Sequence, residues 1–296
     1  MSAKCGKHFI KKSIKLKAYA KINLGLRVLA KRPDGYHNLE TIMQTVDVAD
    51  NLEVALGASG LRFECSDISL MEDNLVLKAT RAFYRELGLP AAVSIKLHKN
   101  IPAQAGLGGG SSDAAATLKA LNRLYDLPLT HEQLWHIAQP LGADVPFFLI
   151  GGTALCTGRG DQVHPLPDFP LGNYLLVKPP VSLSTARIFA LLDIKKNHKG
   201  ESLHAIKALP ITKFNIKSKI TNDLEKPALT LYNDLEEIKK ELYGLGAVGV
   251  SMSGSGSAVF ALFERQEQVQ QAAVIIKARK PDDWWIMACK GTVAVD

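Results

Sequence analysis

The run IPAQAGLGGGSSDAAA, residues 101–116, places four glycines and two serines ahead of a stretch of alanines. A glycine-rich turn that opens a helix is an anion site: the turn bares backbone N–H groups, and the helix N-terminus adds partial positive charge. The chemistry it suggests is phosphate binding. Two familiar phosphate loops do not fit. A Walker A loop needs GxxxxGK[ST], and no lysine follows these glycines. A dinucleotide fingerprint needs GxGxxG, but the sixth residue from Gly106 is Ser111, and no acid lies at the expected distance on a following strand. A plain flexible turn remains as the bland reading. Three successive glycines cost conformational entropy on folding, a cost that a simple turn has little need to bear.

Other stretches carry groups that could act on a bound phosphate. Asp144, in LGADVPFF, is an acid among apolar residues, so it must be partnered or poised for work; the alternative is a capping aspartate at a helix end. Lys21 sits in YAKINL, where a surface lysine on an apolar strand is the ordinary reading. Tyr36 and His37, in DGYH, offer an aromatic face and a ring that both donates and accepts hydrogen bonds. Residues 252–257, MSGSGS, form a second glycine–serine turn. Ser112 and Asp113 read equally well as helix caps. HEQLWH imitates a zinc motif, yet His131 and His136 are five apart and point to different helix faces. The tripeptide RGD at 159–161 is set aside as common.

These groups need elements to hold them. Residues 13–29 alternate and then turn apolar, which predicts two strand segments, and Pro33, Asp34 and Gly35 turn the chain. LETIMQTVDV, NLEVAL and LRFEC read as short strands, and NLVLKATRAFYREL as a helix stopped by Gly88 and Pro90. AVSIKLHK is a strand feeding the loop, residues 111–125 the helix after it, and THEQLWHIAQPLG a helix capped by Thr130. PLPDFPLG, residues 165–172, is the expected boundary between domains 1–168 and 169–296, with residues 1–14 a basic tail. Beyond it come strand YLLVK, helix STARIFALL, a lysine-rich stretch at 195–219 and helix LYNDLEEIKKELY. Strands AVGVSM and AVFALF, helix RQEQVQQAAVIIKAR and strand WWIMAC complete the chain. Helices interleaved with antiparallel-looking strands predict an α+β sandwich.

Composition narrows the classes. A chain of 296 residues exceeds the usual single core. Ten Lys and Arg residues precede the first acid, Asp34, and so account for the net charge of +7. Without aromatic interleaving this is a solvated basic tail rather than a nucleic-acid arm. The four cysteines are scattered, which suggests reduced thiols and cytoplasmic residence. The longest charge-free run, residues 244–263, has membrane-spanning length, but its five glycines and four serines suit a loop entering a buried strand.

The glycine loop resembles the phosphate loop of the GHMP kinases (galactokinase, homoserine kinase, mevalonate kinase and relatives). Residues 18–44, residues 141–161 and GVSMSGSGSAVFALF resemble three further blocks, the first two being those of the branch that acts on 4-diphosphocytidyl-2-C-methyl-D-erythritol. DGYH together with GADVPFF is specific to that branch. The resemblance implies a two-domain fold: an N-terminal sheet with helices like ribosomal protein S5 domain 2, a C-terminal ferredoxin-like α/β sandwich, and an active site in the cleft between them. It implies ATP as donor, Mg²⁺ as cofactor, the cytidylylated methylerythritol as acceptor, a cytoplasmic monomer or weak homodimer, and no part for nucleic acid or membrane. No metal ligand is assigned.

Residue by residue, the resemblance makes Asp144 the base and Lys21 its partner, an arrangement in which the ammonium favours the carboxylate form. Pro102, Ala103, Gln104, Ala105, Gly106, Leu107, Gly108, Gly109, Gly110, Ser111 and Ser112 would wrap the ATP phosphates, with Asn74 near the adenine. Tyr36 and Phe189 would sandwich a cytosine whose edge His37 reads; Phe189 is otherwise a core residue. Asn23 would contact the acceptor end, and Gly254, Ser255 and Gly256 the diphosphate. Lysines between 195 and 219 would attract polyanions or simply face solvent. Two departures from the pattern concern loop conformation: Gln104 and Ala105 stand where glycines occur, and Ser257 where a proline is frequent. Mevalonate- or homoserine-kinase-like activity is the alternative within the superfamily; a decarboxylating relative and a non-catalytic nucleotide-binding module are alternatives of other classes.

Overall fold

The computed structural model describes residues 13–57, 59–166, 172–193, 203 and 220–293. The predicted basic tail (but for its last two residues), the middle of the expected boundary (residues 167–171) and nearly all of the lysine-rich stretch lie outside them.

Two long strands organise the first half. β1 (Ser13–Lys31) and β2 (His37–Leu56) form an antiparallel hairpin, with register shifts at Tyr19/Ala20, Asn23/Gly25 and Val28/Ala30. Sequence reading expected separate segments here, and the first shift shows why. Before it, Leu16 and Ala18 face the helical side; after it, Ala20, Ile22 and Leu24 face the other sheet. A bulge inverts the alternation without ending the strand. As a result Lys21 and Asn23 turn toward the helices, as does Met43, the cross-strand partner of Asn23.

A strand of 20 residues spans about 65 Å, long enough for β2 to have different neighbours along its length. Residues 51–56 pair with β4 (Val93–His98) and residues 41–44 with β5 (Thr153–Thr157). β3 (Leu61–Cys65) joins β4 in parallel, β6 (Gln162–Pro165) joins β5, and β8 (Thr221–Asn222) joins β1 in parallel, making seven strands. Among the described residues four helices cover this sheet: α1 (Leu75–Glu86), α2 (Gly109–Leu124), α3 (His131–Ala138) and α4 (Val145–Ile150). The Thr130 capping box on α3 is formed as the sequence predicts, whereas α2 begins two residues early and absorbs Gly109 and Gly110.

A second, antiparallel sheet has the order β11-β7-β10-β9: β7 (Asn173–Lys178), β9 (Gly249–Met252), β10 (Val259–Phe263) and β11 (Trp285–Lys290). α5 (Thr185–Ala190), α6 (Glu225–Leu231), α7 (Asp234–Gly244) and α8 (Gln266–Arg279) pack beneath it around Val177, Ile238, Val259 and Ile276. Between the sheets Ile22, Leu24, Ile42, Leu176 and Phe260 form a separate core, which also takes in Ile101 and Leu107 from the glycine loop. Burying each such side chain contributes about 1.5–3 kcal/mol, so the loop is anchored by its own apolar residues.

A buried charged trio fixes the two ends of that loop. Lys99, before it, donates to Asp113 at 2.7 Å and pairs with Asp50. Asp50 also accepts from the Asn100 and Ile101 amides at 2.5 and 2.8 Å. One ammonium cannot fully neutralise two carboxylates. Burial, with the charge of Asp50 assisting, pushes the Asp113 carboxyl up to about 7 against the pull of Lys99. A folded pKa above the unfolded value of about 3.9 means that stabilisation is complete below that value and lost as pH rises through about 7. Asp113→Asn keeps the neutral form at every pH. Its melting temperature relative to wild type should therefore climb from pH 6 to pH 8, by about several degrees on domain-scale arithmetic; a pH-independent difference in thermal melts would show Asp113 charged throughout.

Candidate active site

Three backbone segments meet at the mouth of α2. The Lys21 amide donates to the Leu107 carbonyl at 2.9 Å, the Ala258 amide to the Ala105 carbonyl at 3.1 Å, and the Ser253 hydroxyl to the Gly106 carbonyl at 2.9 Å. Gly106 (φ +76°) has the Ser253 carbonyl where a Cβ would lie, and Gly108 (φ +71°) has the Phe148 ring 2.8 Å from that position. Gln104, also left-handed at φ +52°, carries its side chain without glycine's freedom. Ser257, the second departure, is buried and donates to the Val181 carbonyl at 2.5 Å.

Beside this junction the Lys21 ammonium, only 4% exposed, donates to Asn23 Oδ1 at 2.6 Å and lies 3.4 Å from Asp144 Oδ2. Asn23 Nδ2 in turn donates to the Thr41 hydroxyl at 2.8 Å. Asp144 is the residue before α4, but its carboxylate makes no capping bond. The capping alternative therefore fails, and the group, 28% exposed, faces Lys21 and the open cleft. The cleft, of about 890 Å³, runs from the loop to the tip of the β1–β2 hairpin and α5.

Of the residues singled out by sequence, Lys21, Asn23, Tyr36, His37, Gln104, Gly106, Gly108, Asp144, Phe189 and Gly254–Gly256 line this cleft. The others do not. Pro102 and Ala103 border a shallower depression with Lys99 and Trp285. Ser112 is buried beside Tyr19, Phe148 and Gly151, and Ser111 is half-buried near Gly142. Asn74 caps α1, accepting from the Val76 amide at 2.9 Å and donating to the Leu70 carbonyl at 2.7 Å. A Cβ at Gly110 would lie 3.7 Å from Leu75 Cδ1, so the starts of α1 and α2 are adjacent.

The aromatic groups are arranged differently from the expected pair. His37 stacks on Phe189, with centroids 5.0 Å apart and 23° between planes, while Tyr36 meets the Arg159 guanidinium at 5.2 Å. Burial, helped by the charge of Lys31, lowers the His37 pKa from the usual imidazole value, so the ring is neutral at neutral pH. Sequence reading missed three contributors: Thr41, which holds Asn23; Thr185, whose hydroxyl is 2.7 Å from that of Ser255; and Arg159, inside the discarded RGD. Only the proximity of Arg159 to the GADVPFF block hinted at a place in the site.

The model of the GHMP kinases N terminal domain matches residues 74–152, and that of the GHMP kinases C terminal matches residues 205–282. A 4-diphosphocytidyl-2-C-methyl-D-erythritol kinase of Desulfitobacterium hafniense is 40% identical over 283 residues, 93% of this chain and 96% of the relative. One of Exiguobacterium sibiricum is 43% identical over 265 residues, 88% of this chain and 92% of the relative. The chain belongs to the 4-diphosphocytidyl-2-C-methyl-D-erythritol kinase family of the GHMP kinases. A crystal structure of a 4-(cytidine 5'-diphospho)-2C-methyl-D-erythritol kinase superposes with a TM-score of 0.80 at 35% identity, covering 94% of this chain and all of that one. A homoserine kinase of Cytophaga hutchinsonii shares the fold, with a TM-score of 0.74 at 23% identity and 96% of each chain covered. As a GHMP kinase the chain is a phosphotransferase that uses ATP and acts on an alcohol group. The expected α+β fold with two sheets is borne out.

In this kinase the glycines of the loop are not equivalent. Gly106→Ala meets both a positive φ and a carbonyl in the way, so it should lose about 2 kcal/mol or more in denaturant unfolding. Gly110→Ala has ordinary contact distance and a helical backbone, so it should be neutral or stabilised by about 0.5–1 kcal/mol. Equal losses in the two variants would refute the packing described for Gly106.

Proposed function

We propose that this kinase transfers the γ-phosphoryl group of ATP to the 2-hydroxyl of 4-diphosphocytidyl-2-C-methyl-D-erythritol, in the non-mevalonate route to isoprenoid precursors. The observation that carries the proposal is one cleft holding three things together: the Lys21–Asp144 pair, the loop backbone at Gly106 and Gly108, and the ring set Tyr36, His37 and Phe189. Residues 1–168 and 169–296 are its two lobes. β7 and β9–β11 make their own sheet, while β8 and a bridge between Val46 and Gly291 return to the first. The enzyme acts in the cytoplasm as a monomer or weak homodimer, without nucleic acid or membrane.

Phosphoryl transfer asks the protein for placement, charge neutralisation and a destination for one proton. Within residues 102–112 the backbone at Gln104, Gly106 and Gly108 and the first turn of α2 would cradle the ATP phosphates, the rest of the run holding that backbone in place, and Asn74 would serve by capping the adjacent start of α1. Asn23 and Lys21 hold the acceptor oxygen beside Asp144. As the bond from the γ-phosphorus to ADP breaks and the bond to the acceptor oxygen forms, the hydroxyl proton passes to Asp144. Neutral His37 presents one donor and one acceptor to a cytosine edge, Tyr36 and Phe189 offer ring faces, and Gly254, Ser255 and Gly256 border the diphosphate. Mg²⁺ takes phosphates and waters as most of its ligands. The described residues contain no cage of three His, Cys, Asp or Glu side chains, and the half-buried Ser111 hydroxyl is the kind of donor that suits such an ion. Mg²⁺ would supply neutralisation of the phosphate charge.

Phosphorus NMR with Mg-ATP and the cytidylylated acceptor, with mevalonate and homoserine in parallel, tests the proposal. A new phosphomonoester and ADP should form with the cytidylylated compound alone; consumption of another acceptor overturns the assignment. Asp144→Asn should lower kcat by several orders of magnitude while nucleotide affinity stays within about twofold, and undiminished turnover would remove Asp144 from its role. The KM for acceptor should rise as pH falls below the ordinary imidazole range and His37, whose pKa burial holds under that range, becomes charged, with ATP affinity unaffected. In His37→Gln that acidic rise should disappear; its persistence would point to another group.

A further inference from the structure

The guanidinium of Arg159 has a partner on each side. Arg159 lies on the turn between β5 and β6, between Gly158 (φ +68°) and Gly160 (φ +100°). Asp161 Oδ2 accepts from its Nε at 3.1 Å and its Nη2 at 2.8 Å, and Asp161 Oδ1 accepts from the Arg159 amide at 3.2 Å. Asp161 is the more buried partner, 13% exposed against 31%, so it is the anchor and Arg159 the projecting plate. That plate lies 5.2 Å from the centroid of Tyr36.

Tyr36 needs such a plate. Its backbone is fixed at the hairpin tip: its amide donates to Asp34 Oδ1 at 3.1 Å, and its carbonyl accepts from the Arg32 amide at 2.8 Å. The residue is 58% exposed. No other aromatic ring is paired with it among the described residues, since Phe189 is taken by His37. A ring with a fixed backbone and a free side chain samples several rotamers, and ordering it on binding costs affinity. A guanidinium held flat by a carboxylate is pre-organised to restrain one ring face, which a lysine on a flexible stem, lacking both the plane and the bidentate anchor, does less well.

We propose that Arg159, locked by Asp161, is a positioning residue that holds the Tyr36 ring in the orientation that receives the acceptor's base. Arg159 thereby sets acceptor affinity through Tyr36 rather than by touching the acceptor. This rests on the acceptor assignment given above.

Steady-state kinetics on Arg159→Met, alone and combined with Tyr36→Ala, separates the two routes. Arg159→Met should raise the KM for the cytidylylated acceptor about three- to tenfold, a change falling on KM more than on kcat, with the KM for ATP within about twofold. In the Tyr36→Ala background the same change should have no further effect. Arg159→Lys should behave like Arg159→Met, and Tyr36→Phe should retain the effect because the ring remains. An unaltered acceptor KM in Arg159→Met overturns the proposal, as does an equal rise in the Tyr36→Ala background, which would place the guanidinium on the acceptor itself. A readout without substrate accompanies these. In 3-fluorotyrosine-labelled protein, the ¹⁹F line that vanishes in Tyr36→Phe should shift and narrow in Arg159→Met, and an unchanged line overturns the restraint. Failure of the wild-type enzyme to phosphorylate the cytidylylated acceptor would instead refute the acceptor assignment, and the stated role of Arg159 with it.

Discussion

The close approach of the glycine loop's backbone to β1 and to the turn after β9 is the constraint on which the rest depends. At Ala105–Leu107 three successive carbonyls are taken by the other two segments: Ala105 and Gly106 by Ala258 and Ser253 of the turn after β9, and Leu107 by Lys21 of β1. Each such bond is worth only about 1 kcal/mol net, but leaving a buried carbonyl unpaired costs about 1–3 kcal/mol. The three segments are therefore held together more by what separation would expose than by what contact gains. Glycine at 106 is required because a side chain would sit where the Ser253 carbonyl is. The same junction points the start of α2 at the cleft, and with it the partial charge of its unpaired amides.

Charge inside the protein follows from that geometry. Lys21 is buried on β1, where an isolated ammonium would be costly; Asn23 and Asp144 satisfy it, and Thr41 fixes Asn23. This chain of contacts runs across the two central strands and reaches the cleft at the carboxylate. The Asp144 carboxylate is not taken up by the helix it precedes, because α4 starts without a side-chain cap and has a proline in its first turn, where a missing N–H is harmless. The Lys99, Asp50 and Asp113 trio does a different job on the other side of the loop: it ties the end of β4 to the beginning of α2 and so sets the length of chain the loop must span. Two lysines with similar burial thus have unlike consequences. One faces a cleft, and the other is enclosed by two carboxylates.

Sequence carried the local features well and the long-range ones poorly. The glycine loop, the Thr130 capping box and the apolar strands of the second sheet were legible because each is decided within a few residues. The hairpin was not. A period-two pattern broken at Tyr19/Ala20 looks like two strands, since the bulge that joins them is set by β2 on the other side of the ladder. α4 was hidden by its length, six almost wholly apolar residues with no polar face to reveal a helical period. The sequence does not disclose that the Asn74 side chain is engaged at both ends, by the Val76 amide of α1 and the Leu70 carbonyl before it. Arg159 is silent in the sequence because a tripeptide says nothing about what faces it, and the partner that gives it meaning is 123 residues earlier, on the tip of the hairpin.

Selectivity has to reside away from the junction. A homoserine kinase at 23% identity shares nearly the whole architecture, so the loop, the two sheets and their packing are compatible with more than one acceptor; likeness of fold alone does not choose among them. What can choose lies at the far end of the cleft, on elements that the core does not constrain. The hairpin tip around Tyr36 and His37 stands beyond the buried part of β1 and β2, and Phe189 sits on a helix of six residues that packs only partly on the second core. A substitution at such positions leaves the packing around Lys21 and Asp144 untouched. These positions also gain least from packing, so their rigidity has to come from side-chain contacts made at the surface. The stack of His37 on Phe189 and the paired charges around Tyr36 answer that need: flat groups, each fixed by a neighbour, at the place where the scaffold leaves off.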